Sequence, residues 1–249
     1  MHNETNLDMT SRNNPDIIRQ HSANRMIYYV AKRAMDILLA LGLLVLFSPL
    51  MLLIVAAIRL YSPGPVFFVQ ERVGTKRRSH GKDSDWQQTT FRCFKFRTMH
   101  IGADSSVHQA YVKALIENDH EAMAILQGNA TNLRKLIQDA RITRPGKLLR
   151  KLSLDELPQL WNVLRGDMSL VGPRPAIPYE VQMYKPWHLQ RLKAQPGLTG
   201  LQQVMARSTV GFDQQVLLDV NYIDQQSLWL DIKIILLTPF VILSTRGAE

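Results

Sequence analysis

The longest apolar pattern in the chain is an uncharged run over residues 37–58, ILLALGLLVLFSPLMLLIVAAI. A helix of this length measures roughly 33 Å at about 1.5 Å per residue, which is enough to cross the hydrocarbon core of a bilayer. The pattern therefore predicts a membrane helix, and a straight span is its simplest form.

Two features favour a second form, a broken helix that enters and leaves by one face of the membrane. Ser48-Pro49 lies near the middle of the run, where proline removes a helical hydrogen bond and produces a kink. Basic residues flank both ends, so the positive-inside rule assigns no orientation. They are Lys32 and Arg33 before the run, and Arg59, Arg72, Lys76, Arg77 and Arg78 after it. The sequence leaves both forms open.

Two short segments after the apolar run have the composition of strands. Residues 66–70 and 91–98 are rich in aromatic and β-branched residues, and a polar, basic loop is predicted between them over 74–90. In the second segment Phe94 and Phe96 alternate with Lys95 and Arg97, so one face packs on the core and the other presents two cations. That cationic face is either a solvated edge or a surface that faces phosphate.

The remaining patterns are mostly helical. Residues 101–140 are predicted to be a helical insertion with a turn at Gly128-Asn129, and residues 180–193 a further helix. Residues 196–200 predict a turn and residues 201–205 a short strand. Residues 229–243 are apolar but interrupted by charges and a proline, so they lie along the membrane surface or in the core. The predicted fold class is α+β, mainly helical with a small β-hairpin.

Length and charge narrow the class of partner. The 249 residues suit one domain over 25–249, preceded by a polar tail over 1–24 that is predicted to be disordered. The net charge of +9 and the pI near 9.8 call for an anionic partner. No nucleic-acid motif accompanies the charge, so the predicted partners are lipid and phosphorylated substrates. The single cysteine, Cys93, excludes an intrachain disulfide and fits a reducing compartment.

The candidate chemistry lies in residues 147–175, where the adjacent acids Asp155 and Glu156 follow a basic run. Ser153 and Glu156 match a capping box, which is the ordinary structural interpretation of these acids. The catalytic interpretation places the pair near a helix N-terminus, which attracts phosphate. Adjacent helical residues point about 100° apart, so the two acids would have different roles. Local sequence leaves both interpretations open.

A second stiff element follows the acids. In Pro173-Arg174-Pro175 each proline fixes its own backbone and restricts the residue before it. Arg174 is therefore either a solvated arginine on a rigid loop or a preset fork that binds phosphate or stacks on a base.

Several long motifs in this order resemble the bacterial sugar transferases, also called monotopic phosphoglycosyl transferases. They are KRAMD, SPGPVFFVQERVG, FKFRTM, SLDELPQLWNVLRGDMSLVGPRP, PGLTG and DIKIILLT, from about residue 32 to 245. The resemblance implies an enzyme at the cytoplasmic face of the bacterial inner membrane. It would transfer a sugar phosphate from a UDP-sugar to polyprenyl (undecaprenyl) phosphate with Mg²⁺, release UMP, and so initiate synthesis of a surface polysaccharide or glycoconjugate.

The resemblance also implies roles for individual residues. Asp155 would be the nucleophile, would carry a covalent phosphosugar and would bind the metal, while Glu156 would position substrate or serve as acid or base. Lys95 and Arg150 would lie near the phosphates, and the Pro-Arg-Pro motif of Pro173, Arg174 and Pro175 near the nucleotide. Arg97 is a further substrate-binding candidate because it shares the cationic strand face with Lys95. Ser48 and Pro49 would kink a re-entrant helix whose start is anchored at the headgroups by Lys32, Arg33 and Asp36.

Two departures concern the sugar end of the site. Gln195 replaces an arginine that many members have before the Pro-Gly-x-Thr-Gly motif, and Ala206-Arg207-Ser208 replaces their Gly-Arg-Asn. Arg207 is kept as a substrate-binding candidate, while the sugar, the pathway and the oligomeric state, including a homo-oligomer, stay open. Two other functions compete: a membrane phosphatase that uses water as acceptor, and a non-enzymatic scaffold that binds headgroups.

Overall fold

A computed structural model describes residues 15–80, 83–102, 106–126, 141–206 and 210–244. Within these ranges the chain is mainly helical, with a small two-stranded hairpin and one long apolar helix near the N-terminus. The predicted fold class is confirmed at this level.

The long helix, α1, runs without a break from Pro15–Tyr61 and contains Pro49. It includes the last ten residues, 15–24, of the tail predicted over 1–24, and residues 1–14 lie outside the described ranges. The segment Arg25–Tyr61 is long and apolar enough to cross a membrane by length and composition. Ser48 Oγ donates a 2.8 Å hydrogen bond to the Val45 carbonyl, one turn back.

The hairpin is longer than the sequence predicts. Strands β1 (Phe67–His80) and β2 (Asp83–Phe96) pair antiparallel along their whole length. The prediction of a loop over 74–90 is therefore wrong for the described residues. The polar stretch contains β-favouring residues such as Thr75, Trp86 and Thr90, and Trp86 and Arg77 both contact the ring of Tyr29 on α1.

The middle of the chain is helical, as predicted. Helices α2 (Ser106–Glu117) and α3 (His120–Leu126) occupy the start of the insertion, and the turn predicted at Gly128-Asn129 lies outside the described residues. Helix α4 (Arg144–Lys151) leads into a 3₁₀ turn, Leu154–Glu156, and then into α5 (Gln159–Arg165).

Two short strands, one just before the Pro-Arg-Pro motif and one within the Pro-Gly-Leu-Thr-Gly motif, pair as a small parallel sheet. β3 (Ser169–Val171) lies beside β4 (Gly197–Thr199), so the turn predicted over 196–200 is wrong. The Gly197 amide donates to the Pro173 carbonyl at 2.8 Å, and the Gly172 amide donates to the Thr199 carbonyl at 2.9 Å. A Cβ at Gly197 would collide with the Gly172 backbone, and this close approach explains why both positions are glycine.

The C-terminal third also differs from the sequence expectation. The helix predicted over 180–193 is two pieces, α6 (Pro178–Gln182) and a 3₁₀ helix (Pro186–Leu192), because Pro186 starts a new element. The strand predicted over 201–205 is a helix, α7 (Leu201–Met205). Helices α8 (Phe212–Asp224) and α9 (Leu228–Leu243) complete the described chain.

The long apolar helix α1 is part of the core. It contributes Ala40 to a cluster with α5, β2, β3, α8 and α9, and Ile54 and Ile58, near its end, to a cluster with the start of the hairpin and α4. Helix α9 buries Asp231 and Ile234 but leaves Trp229, Leu236 and Phe240 largely exposed. One side of α9 thus packs on the protein and another is an apolar surface, as expected for residues 229–243.

Candidate active site

The turn that carries the two acids is set by the end of α4. Ser153 adopts left-handed backbone geometry (φ 53°), which breaks α4 and starts the 3₁₀ turn Leu154–Glu156. The Ser153 side chain makes no capping hydrogen bond, and the Glu156 carboxylate binds Lys95 instead of the Ser153 amide. The capping box considered from the sequence is therefore not formed, and both carboxylates are free of that structural role.

This acidic turn packs directly on the apolar helix α1. Leu154 and Leu157, on either side of the acids, lie against the cluster that contains Ile54, Ile58 and Leu149. Since the same cluster includes Val66 and Phe96 at the base of the hairpin, the acids are fixed where the chain leaves the apolar helix.

The two adjacent acids have different environments. Glu156 Oε1 accepts a 2.6 Å hydrogen bond from Lys95 Nζ in an ion pair. Burial raises the pKa of Glu156, but the charges of Lys95, Arg174 and Arg72 outweigh it and hold this pKa below its ordinary value. Glu156 is therefore a fixed anion at neutral pH.

The pKa of Asp155 is shifted in the opposite direction. Asp155 is 9 % exposed and forms none of the ion pairs found among the described residues. Burial, reinforced by the charge of Glu156, raises the pKa of Asp155 to about 6, although the charges of Lys95 and Arg150 oppose the increase. At neutral pH Asp155 is thus a poorly solvated carboxylate, which is the state of a reactive nucleophile.

A cavity opens beside Glu156 between the hairpin and the paired proline and glycine motifs. It is lined by Arg72, Cys93, Lys95, Glu156, Gln159, Arg174, Pro175, Gly197, Leu198 and Gln203. Asp155 is not among the lining side chains, but it interacts electrostatically with two that are, Glu156 and Lys95. Three cations and one anion therefore face this cavity, a balance that suits a ligand carrying at least two negative charges.

Arg72 is a charged residue of the cavity that the sequence does not identify as part of the site. In the sequence it is one of the charges that flank the apolar run, whereas in the structure it is 7 % exposed and donates to the Pro175 carbonyl at 2.8 Å and to Gln70 Oε1 at 2.7 Å. These bonds tie the Pro-Arg-Pro loop to β1. Arg174 itself is exposed, while the prolines on both sides of it are buried, so the loop presents the guanidinium on a rigid backbone.

Of the two other predicted phosphate ligands, Arg150 and Arg97, the first belongs to the site and the second does not. Arg150 Nε donates to Thr98 Oγ1 at 3.0 Å, and the charge of Arg150 lowers the pKa of Asp155, so this residue belongs to the site. Arg97 does not line the cavity. Its guanidinium donates to the Ser62 and Pro63 carbonyls at 2.6 and 2.9 Å, where it fixes the end of α1. The sequence prediction that Arg97 faces phosphate is not supported by this geometry.

A family model described as "Bacterial sugar transferase" matches residues 27–245, which is nearly the whole described chain. The chain belongs to the bacterial sugar transferase family. It is therefore an enzyme, and the resemblance seen in the sequence motifs is confirmed.

Curated relatives of this sugar transferase include proteins with named activities. The exopolysaccharide production protein ExoY of Rhizobium meliloti (strain 1021) is 39% identical over 232 residues, which cover 93% of this chain and 94% of that protein. The undecaprenyl-phosphate galactose phosphotransferase of Salmonella typhimurium (strain LT2) is 40% identical, over 87% of this chain and 41% of that protein. The UDP-N-acetylgalactosamine-undecaprenyl-phosphate N-acetylgalactosaminephosphotransferase of Aeromonas hydrophila is 38% identical, over 90% and 46%. This sugar transferase thus spans nearly all of the first relative and less than half of the other two.

Three residues predicted to anchor the helix at the headgroups instead bind the rest of the sugar transferase. Lys32 is buried and pairs with Asp231 at 2.9 Å. Asp36 accepts a hydrogen bond from the Leu170 amide at 2.9 Å, and Arg33 donates to the carbonyls of residues 163 and 164 at the end of α5. The anchoring prediction is corrected accordingly, because these side chains attach the helix to protein.

The remaining predictions concern Arg207 and the metal. Arg207 lies outside the described residues. Within the described ranges no three His, Cys, Asp or Glu side chains converge to form a metal centre made by protein alone. The donor set still fits Mg²⁺, which commonly binds one or two carboxylates together with substrate phosphates and water.

Proposed function

We propose that this sugar transferase moves a sugar phosphate from a UDP-sugar to a polyprenyl phosphate, as an initiating step of surface polysaccharide or glycoconjugate synthesis. The observation that carries the proposal is Asp155, which is buried, takes part in none of the ion pairs among the described residues, and adjoins Glu156 of the Arg72–Lys95–Arg174 cavity at the base of an apolar helix. The names of the two phosphotransferase relatives supply the class of acceptor.

In the first half-reaction an Asp155 carboxylate oxygen attacks the β-phosphorus of the UDP-sugar. The bond from this phosphorus to the bridging oxygen breaks, UMP leaves, and the sugar phosphate is bonded to Asp155. In the second half-reaction an oxygen of the lipid phosphate attacks the same phosphorus and releases Asp155, giving the polyprenyl-diphosphate-sugar.

The side chains around Asp155 stabilise the charge of the diphosphate and position the reacting groups. Lys95, Arg174 and Arg150 offset the charge that accumulates on the diphosphate, since preset cations stabilise such charge most where water is excluded. Glu156, held by Lys95 at 2.6 Å, keeps the Lys95 ammonium in place and positions the substrate. Arg72 acts through Pro175 by holding the Arg174 loop.

Mg²⁺ would be held by Asp155 and by phosphate oxygens of the donor, and it would neutralise the diphosphate. Asp155 suits this role because the Glu156 carboxylate is already engaged by Lys95.

For the membrane, we propose a re-entrant helix with both ends at the cytoplasmic face of the inner membrane. The support is that Lys32 and Asp36, just before the apolar run, and Ile58, at its end, pack on the same catalytic body. A cysteine placed at residue 26 or residue 64 should be inaccessible to a membrane-impermeant reagent added from the periplasm. Labelling at either position from that side would contradict the re-entrant arrangement.

The chemistry is tested by incubating the protein with donor alone. A UDP-sugar that serves as substrate should release UMP in a burst that matches the enzyme concentration, with a mass increase of one sugar phosphate at Asp155. Undecaprenyl phosphate should then discharge the adduct and permit turnover. Continuous UMP release without lipid would indicate a hydrolase, and product formation by Asp155→Asn at a substantial rate would exclude the covalent route.

A further inference from the structure

The hairpin face that lines the cavity continues to an exposed aromatic ring. Phe68 lies directly opposite Lys95 in the antiparallel register, and directly opposed side chains share one face, with Cβ atoms about 5 Å apart. Farther along this face, Cys93 and Arg72 line the cavity. Phe68 is 49 % exposed, so a large apolar surface stands next to the cation that binds Glu156.

The two ends of this face differ in chemistry. At the inner end, Arg72 is buried and tied to the Pro-Arg-Pro loop. At the outer end, Phe68 follows the last residue of the apolar helix, Tyr61, by seven positions. The intervening chain is held by Arg97, which donates to the Ser62 and Pro63 carbonyls and whose amide donates to the Val66 carbonyl at 2.8 Å. The outer end is therefore fixed at the exit of the membrane helix.

A cation beside an exposed apolar ring, next to a membrane element, is complementary to an amphiphile with an anionic head. The geometry points to Phe68 as a contact for the first isoprene units of the polyprenyl phosphate acceptor, whose phosphate is drawn to Lys95. The nucleotide would then occupy the Arg72 and Arg174 end, and the lipid would enter from the Phe68 end. This inference rests on the proposed transfer reaction and adds the direction from which the acceptor arrives.

The neighbouring residue provides a matched control. Phe67 has the same side chain and is 48 % exposed, but it lies on the opposite face of β1 and stacks on Phe96 with ring centroids 5.5 Å apart. If both rings only insert into the bilayer, removal of either ring should change the KM for undecaprenyl phosphate equally. If Phe68 contacts the acceptor, only its loss should change the second half-reaction.

The experiment compares Phe68→Ala, Phe68→Leu and Phe67→Ala in detergent, with each half-reaction measured separately. We expect Phe68→Ala to raise the KM for undecaprenyl phosphate about tenfold and to leave the UMP burst with donor alone unchanged. Phe68→Leu, which keeps an apolar side chain, should stay within about threefold of the wild type, and so should Phe67→Ala.

Equal increases in KM for Phe67→Ala and Phe68→Ala would overturn the inference, and so would an unchanged KM in Phe68→Ala. The donor burst also reports folding, so a variant that lacks it is replaced in the comparison by Phe68→Gln, which should show the same increase. Failure of the proposed function would look different, because the wild type itself would then give no UMP burst.

Discussion

Asp155→Asn should abolish turnover and yet make the protein more stable at neutral and alkaline pH. The pKa of Asp155 is raised to about 6 from its ordinary 3.8 by burial and by the charge of Glu156. The native state therefore binds this proton more tightly than the unfolded chain does, and stability decreases as the pH rises from about 4 to about 6. Above this pH range Asp155 is ionised in both states, and the destabilisation of the native state reaches its full size.

The size of this cost follows from the same values. The difference between about 6 and 3.8, at about 1.4 kcal/mol per pH unit, corresponds to about 3 kcal/mol of destabilisation at pH 8. At pH 4.5, where native Asp155 is largely protonated, the cost is about 1 kcal/mol. Asparagine keeps the shape and removes the charge, so the gain in melting temperature should be about 6 to 12 °C at pH 8 and clearly smaller at pH 4.5.

The assay is thermal unfolding of both proteins in the same detergent, followed by tryptophan fluorescence at the two pH values. Glu156→Gln is the matched control, because the pKa of Glu156 lies below its ordinary value and the loss of its ion pair with Lys95 should destabilise the protein at pH 8. A melting temperature of Asp155→Asn that is no higher than the wild type at pH 8 would refute the reasoning. An equal gain at both pH values would refute it as well, since the gain would then not depend on ionisation.

Three further predictions follow from the same contacts. The UMP burst rate should rise with pH through a midpoint near 6, and Lys95→Ala should move this midpoint upward, because the Lys95 charge lowers the pKa of Asp155; a downward shift would contradict the electrostatic account. Arg72→Lys, which replaces the two guanidinium nitrogens that bind Pro175 and Gln70 with a single ammonium, should lower kcat/KM for the donor by about 10- to 100-fold, whereas Arg92→Lys, at an exposed position of β2, should not. Lys32→Met should destabilise the protein by about 3 to 5 kcal/mol in thermal unfolding, because Asp231 stays buried without its cation. The double variant Lys32→Met/Asp231→Leu should recover much of that stability. If it does not, the loss does not arise from the unpaired Asp231.

The sequence predicted the elements that depend on local pattern. The apolar helix, the cores of both strands and the first part of the insertion have the expected types, because their periodicity is visible within one window of residues. The acid pair and the Pro-Arg-Pro motif were also found from sequence, since rigid backbone and clustered charge are local features. The structure brings Glu156 and Arg174 to one cavity.

The features that the sequence could not predict depend on contacts between residues that are far apart in the chain. The partner of Lys32 lies 199 positions away, and that of Arg72 lies 103 positions away, so neither burial was visible in the local pattern. Alternation identified Lys95 and Arg97 as cations on one face, but it could not show that the second would bind the carbonyls at the end of α1. The strand at Gly197–Thr199 was predicted as a turn because its pairing with Ser169–Val171 is equally remote.

The packing of the acidic turn on α1 limits how this enzyme can be simplified. Removal of the helix would expose Leu154 and Leu157, strip Asp231 of its cation and leave the last carbonyls of α5 without Arg33. A water-soluble version of the enzyme would therefore have to replace these contacts with other protein groups rather than simply omit the helix.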